Sequence, residues 1–247
     1  YKENEVTQTK VDRLAADSWD AFRDDPSIKK ICRNLSSKVI GQGMQPESQA
    51  THPDGTPHVE FRARAKQLWS ELQTGFDSRG LPGRGGQTMA GLQKLALRAA
   101  MLSGGTLYRF RNLTPEKQAA HDLPIPIAVQ VVDICRLADD SDIPRAEIPD
   151  SHTTFRGIEF DADGLRVAHW VNNTPVGAGT AARGDVTRVP VEKMGHLYLE
   201  EDIDQATGTP WLASAILRAR RTGDLEFNVL TATAMAACVV GSYRKPT

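Results

Sequence analysis

An α+β fold is what this sequence predicts: an N-terminal helical layer packed on a small mixed or antiparallel β region, followed by a long C-terminal helix. Two observations carry it. Apolar residues recur at three- and four-residue steps from Val11 to Ala99 and again from Leu212 to Ala236, as on one face of a helix. Between them, from Thr106 to Leu199, the period falls to two, as in half-buried strands. Aromatic residues make up only 6% of the 247 positions, so the core must rest on Leu, Ile, Val and Ala. The pattern divides the chain at 1–104 (helical), 105–207 (β-rich) and 208–247 (helical again).

Val11, Leu14, Ala15, Trp19 and Phe22 predict the first helix, which "RDDPS" stops. Asp25 is placed to cap the second, with Pro26 in its first turn. Ile28, Ile31, Cys32, Leu35 and Val39 form its apolar stripe, and Gly41 and Gly43 end it. A polar loop, "QPESQATHPDGTPH", leads to a third helix carrying Phe61, Leu68, Trp69, Leu72 and Phe76. "DSRGLPGRGG" reads as a flexible link. The fourth helix carries Met89, Leu92, Ala96 and Ala99 and closes at Gly104-Gly105. "TLYRFRN" and "PIAVQVVDI" then read as strands, and "FRGIEF" with "LRVAHWV" as a hairpin about "DADG". "VTRVPVEKMGHLYL" adds one or two strands, while "AEIPDSHTT" and "NNTPVGAGTAARGD" read as exposed loops. The last helix has a weak point at Thr222-Gly223.

Composition narrows the function. A net charge of −1 argues against a generally basic nucleic-acid binder, though not against a local patch. Cys32, Cys135 and Cys238 lie far apart without a CxxC, which predicts buried, reduced thiols. No apolar run approaches the roughly 20 residues of a membrane helix, so no membrane partner is expected. The sequence opens on Tyr1 rather than Met and stops just after a helix, so we expect a piece of a longer chain.

Four acids stand within residues 200–204: Glu200, Glu201, Asp202 and Asp204. With His196 they have the residue types of a hard-metal or paired-carboxylate site, and a small metal-dependent α+β hydrolase is the alternative they raise. Such a site needs ligands converging from distant segments, whereas this is one local run, and local acidic runs are solvated faces by default. "FDADG" fails as a calcium loop, because Trp170 stands where the acidic ligand six places beyond Gly164 belongs. "LPGRGGQT" lacks the Gly-Lys-Ser/Thr ending of a phosphate loop. No HExxH, GxSxG or zinc spacing appears, and no catalytic residue, cofactor or metal is expected. Arg218, Arg220 and Arg221 form the one compact basic cluster, a solvated helix face unless phosphates or an acidic neighbour meet it.

The order of these pieces resembles the N-terminal half of the lambda family of phage portal proteins, from about residue 13 to about 240. Four stretches carry the resemblance: "RDDPSIKKICRNLSSKVIGQGM"; "RAKQLWSELQTGFDSRG"; "LQKLALRAAMLSGGTLYRFR"; and "GIEFDADGLRVAHWV" with "RVPVEKMGHLYLEEDIDQATGTPWLASAI". The departures are Thr207 where the family often has Arg, the acidic "EEDID" where its connection tends to be basic, and Gly105 where an acid often follows.

The resemblance implies a ring of about twelve subunits at one capsid vertex. Such a ring passes double-stranded DNA without sequence preference. It docks the large subunit of the packaging ATPase (terminase) and meets capsid and head-completion proteins. It also implies a virion component made in the bacterial host's cytoplasm, encoded by a phage or prophage. Residues 1–104 then become the helical part of the wing, 105–207 a wing- or clip-like β part, and 208–247 the start of a stem-like helix, the remainder of the portal being absent. Near-neutral charge suits a channel that must let phosphates slide. In this setting His196, Gly208, Pro210 and Trp211 form a structural corner from strand to helix. Gly208 supplies backbone freedom there, Pro210 a helix start and Trp211 a packing anchor. Asp202 and Asp204 are expected to face the neighbouring subunit's Arg218, Arg220 or Arg221.

Overall fold

The computed structural model describes residues 8–123, 125–173, 185–203, 205–213, 215 and 228–235. Helix α1 (Gln8–Asp24) is followed at once by α2 (Pro26–Ile40). The Asp25 carboxylate accepts the Ser27 amide at 2.7 Å and the Ile28 amide at 3.3 Å, and Pro26 opens the helix where its missing N–H costs nothing. Both helices pack on α4 (Met89–Ser103), the apolar centre of the layer. Cys32, Met101 and Leu102 are buried there, with Trp19, Phe22, Ile28, Leu97 and Leu212 against them.

The α2 stripe differs from expectation. Its buried positions are Cys32, Ser36 and Ile40, and Ile31, Leu35 and Val39 face solvent. The helix carries apolar residues on two adjoining arcs, and α4 covers only one. Helix α3 (Val59–Leu72) stands on the periphery. His58 caps it, Arg62 ties it to the Ala50 carbonyl, and Trp69 meets Phe76 with ring centroids 5.4 Å apart.

Residues 77–86 are a built loop rather than a flexible link. Buried Asp77 accepts the amides of Arg79 and Gln87, at 2.9 and 2.8 Å, and pairs with the Arg79 guanidinium at 2.7 Å. One carboxylate thereby pins both ends of a glycine-rich excursion. The loop also joins the sheet, since Val129 donates to the Phe76 carbonyl and Ser78 to that of Val129.

The β region holds two antiparallel sheets. The first has the order β2 (Ile127–Asp133), β1 (Gly105–Asn112), β7 (Met194–Tyr198), with Leu107 opposite both Val132 and His196. The second runs β3 (Thr153–Phe155), β4 (Ile158–Phe160), β5 (Arg166–Asn172), β6 (Val186–Pro190). Leu107, Val132 and Met194 of the first share one buried cluster with Ile158, Val171 and Val189 of the second. "FRGIEF" is not a single strand: Arg156 and Gly157 both take positive φ, 54° and 73°, and turn β3 into β4. Both central residues of a type I′ hairpin turn need that conformation. A short helix α5 (Pro115–Ala120), capped by Thr114, interrupts the expected strand-to-strand link.

Glu159 is fully buried within the second sheet. It is held by Arg188 at 2.7 and 2.9 Å, by His152 at 2.7 Å and by the Trp170 indole N–H at 3.0 Å. Burial pushes its carboxyl up, but these donors outweigh burial and hold it at about 2. Cys32 is buried and Cys135 half-buried, both as free thiols, and burial with nearby Asp133 pushes the Cys135 thiol up to about 12. Cys238 lies outside the described residues, as does most of the predicted long C-terminal helix. Within that span residues 228–235 are helical and exposed throughout. Among the described residues, no helix is long and apolar enough to cross a membrane.

Candidate functional site

The strand-to-helix corner begins where β7 ends. The Tyr198 hydroxyl donates to the Gln205 carbonyl at 2.9 Å, and Arg166 donates both to that carbonyl, at 3.1 Å, and to the Tyr198 hydroxyl. The Gln205 side-chain oxygen in turn accepts the amides of Glu201 and Asp202, at 2.8 and 3.3 Å. Asp202 accepts the Ile203 amide at 2.8 Å, and Thr209 reaches the Glu201 carboxylate at 3.4 Å. The acidic segment is thus a fixed protrusion. Gln205, Tyr198 and Arg166 build it, and none of the three was singled out from sequence.

Residues 205–208 and Pro210 are buried. Gly208 lies against Gly104, the residue that ends α4 with φ +85°. A Cβ on Gly104 would sit 2.6 Å from the Gly208 carbonyl oxygen, and one on Gly208 would overlap the Gly104 carbonyl. Gly208 has no positive φ, so close approach rather than backbone freedom requires glycine there. Beyond it the Trp211 amide donates to the Met101 carbonyl at 3.0 Å, satisfying a C-terminal acceptor of α4. The Trp211 side chain is 38% exposed, and Leu212 makes the contact with the helical core.

His196 sits on β7, its two ring nitrogens buried and without a hydrogen-bond partner among the described residues. It faces His169 of β5, ring centroids 6.0 Å apart, and Tyr198 at 4.5 Å. Burial, then His169 and the Arg166 and Arg156 guanidiniums, push it down to about 3, and burial and Arg166 push His169 to about 4. Both imidazoles are therefore neutral at physiological pH. His196 and the described acids of the run are not brought together: the imidazole is inside, and Glu200, Glu201 and Asp202 are on the exposed loop. Among the described residues, no three His, Cys, Asp or Glu side chains are grouped to hold a metal. Asp161 serves the β4–β5 turn, accepting the amides of Asp163 and Leu165 at 3.0 and 2.8 Å. Asp204, Arg218, Arg220 and Arg221 lie outside the described residues.

The corner that couples the end of α4 to the exit of β7 thus rests on the stretches that carry the resemblance. A family model described as phage portal protein, lambda family, matches residues 2–247. The chain belongs to that family. No curated protein matches it. The portal match covers the helical layer, both sheets and the corner alike, extending the resemblance read from the sequence to nearly the whole chain. The departures from the family pattern are now placed. Thr207 is buried just before the close-packed Gly208, and its hydroxyl finds no partner among the described residues. Gly105 starts β1 where a Cβ would meet the Ile134 side chain at 2.7 Å and His196 Nε2 at 3.1 Å.

Proposed function

We propose that this portal-family chain is a ring-forming structural subunit at one capsid vertex. In this reading the assembled ring is a conduit for DNA entering and leaving the head, and a docking hub for the packaging ATPase and the head–tail connector proteins. The family match over residues 2–247 carries the proposal. The corner geometry supports it. Gly104, Gly208 and Pro210 couple helix α4 rigidly to the segment entering the predicted stem helix, as a subunit built to transmit position between wing and stem requires. The acids of residues 200–202 then serve contacts between proteins rather than chemistry.

Deletion of the gene from its phage or prophage tests this. The expected outcome is heads without packaged DNA and without tails, restored by the gene in trans. Normal DNA-filled particles from the deletion strain would refute the reading.

A further inference from the structure

Helix α2 leaves an apolar stripe in solvent: Ile31 is 58%, Leu35 40% and Val39 61% exposed, at successive four-residue steps. Lys38 borders it and Lys30 precedes Ile31 further round the helix, both exposed, and α2 contains no acid. No ion pair between described residues involves any of these cations. A second surface of this chain is its complement. The protrusion after β7 presents Ile203, 83% exposed, and Leu199 beside Glu200, Glu201 and Asp202. Its backbone is held by Gln205, so little ordering entropy is lost when it docks. No hydrogen bond between described residues joins the two surfaces within one chain.

We propose that the exposed face of α2 is a subunit interface, and that its occupant is the residue 199–203 protrusion of a second copy of this chain. The proposal rests on the portal reading and names the contact that reading requires. Charge complementarity selects the occupant. A nucleic-acid backbone would neutralise the lysines but leave the Ile31–Leu35–Val39 stripe wet, whereas an acidic loop tipped by isoleucine covers both. Two different patches of one chain meeting head to tail form a heterologous contact, the kind that closes into rings. The same contact replaces Arg218–Arg221 as the counterpart of the acidic run.

The test uses the full-length protein. Lys30→Glu with Lys38→Glu, and separately Glu200→Lys with Glu201→Lys, are compared with wild type by native mass spectrometry and electron microscopy at fixed concentration. Each pair is expected to lower the assembled fraction roughly tenfold or more, and the four changes together to restore it. Wild-type rings that tolerate both pairs unchanged would overturn the interface and leave the portal reading standing. A wild type that never assembles would overturn the portal reading and the interface with it. Loss of DNA retention without loss of assembly in the Lys30→Glu/Lys38→Glu protein would assign α2 to DNA instead. Should a charge variant fail to fold, cross-linking decides: subunits carrying Leu35→Cys and Ile203→Cys, mixed and treated with a short bismaleimide, must link across subunits. Assembled rings that do not link would refute the contact.

Discussion

Gly104 and Gly208 lie backbone against backbone, so that a Cβ on Gly104 would stand 2.6 Å from the Gly208 carbonyl oxygen. One ends the central helix of the α layer. The other is the exit from the β region, and nothing larger than hydrogen fits between them. The amide of Trp211 closes the same junction on the Met101 carbonyl.

Gly208→Ala should therefore cost roughly 3 kcal/mol or more, the upper range for overpacking, because the new methyl meets backbone rather than a movable side chain. Thermal unfolding checks this, and an unchanged melting temperature would contradict the close packing. Gly104→Ala pairs the same clash with a strained positive φ, so the double variant should cost less than the sum of the single ones.

Glu159 is the buried counter-ion of Arg188, with His152 and Trp170 completing its shell. Arg188 is exposed and regains water, so Glu159→Ala chiefly leaves the buried Trp170 N–H unsatisfied and should destabilise by about 1–3 kcal/mol. The carboxyl is held at about 2, below its unfolded value, so its contribution is complete above about 4.3 and is lost as pH falls from there through about 2. Chemical denaturation between pH 5 and pH 2 should show this loss in wild type, and it should be absent in Glu159→Ala.

His169 and His196 act over a higher window. Both are held below the ordinary histidine value, at about 4 and about 3, so the unfolded chain takes up protons that the folded chain refuses. Stability should be full above about pH 6.5 and fall as pH drops from there towards about 3. At pH 5 each imidazole should cost on the order of 2 kcal/mol relative to pH 7. His196→Leu should reduce the difference in denaturation midpoint between pH 7 and pH 5, and an undiminished difference would refute this account.

Asp77→Ala removes the one carboxylate that holds Arg79 and Gln87, and with it the order of residues 77–87. Trypsin should then cut after Arg79 and Arg84 much faster than in wild type while global stability changes by only about 1–3 kcal/mol. Equal cleavage rates would show that the loop is ordered by something else.

Much of this architecture was legible because local signals and tertiary packing agree. The Asp25-Pro26 cap, the Gly104 helix end and the switch of period at Thr106 each depend on neighbours in sequence. The failures share a cause in contacts between distant segments. Periodicity showed that α2 is amphipathic but not that α4 would cover Cys32 and leave Leu35 in solvent. Glycine-rich composition suggested a mobile link at residues 77–86, because the anchor is a single buried Asp77. Sequence alone points to Gly208 for the wrong reason: its partner, Gly104, lies 104 positions earlier. The acidic run was visible at once, yet its shape depends on Gln205 and Arg166, whose roles only the fold reveals.

The most direct test of the central claim, that this portal-family chain assembles into a ring, is native mass spectrometry of the full-length protein with electron-microscope class averages of the same sample. The account predicts a closed ring of about twelve copies around a central hole. A monomer or dimer at every concentration tried would contradict it.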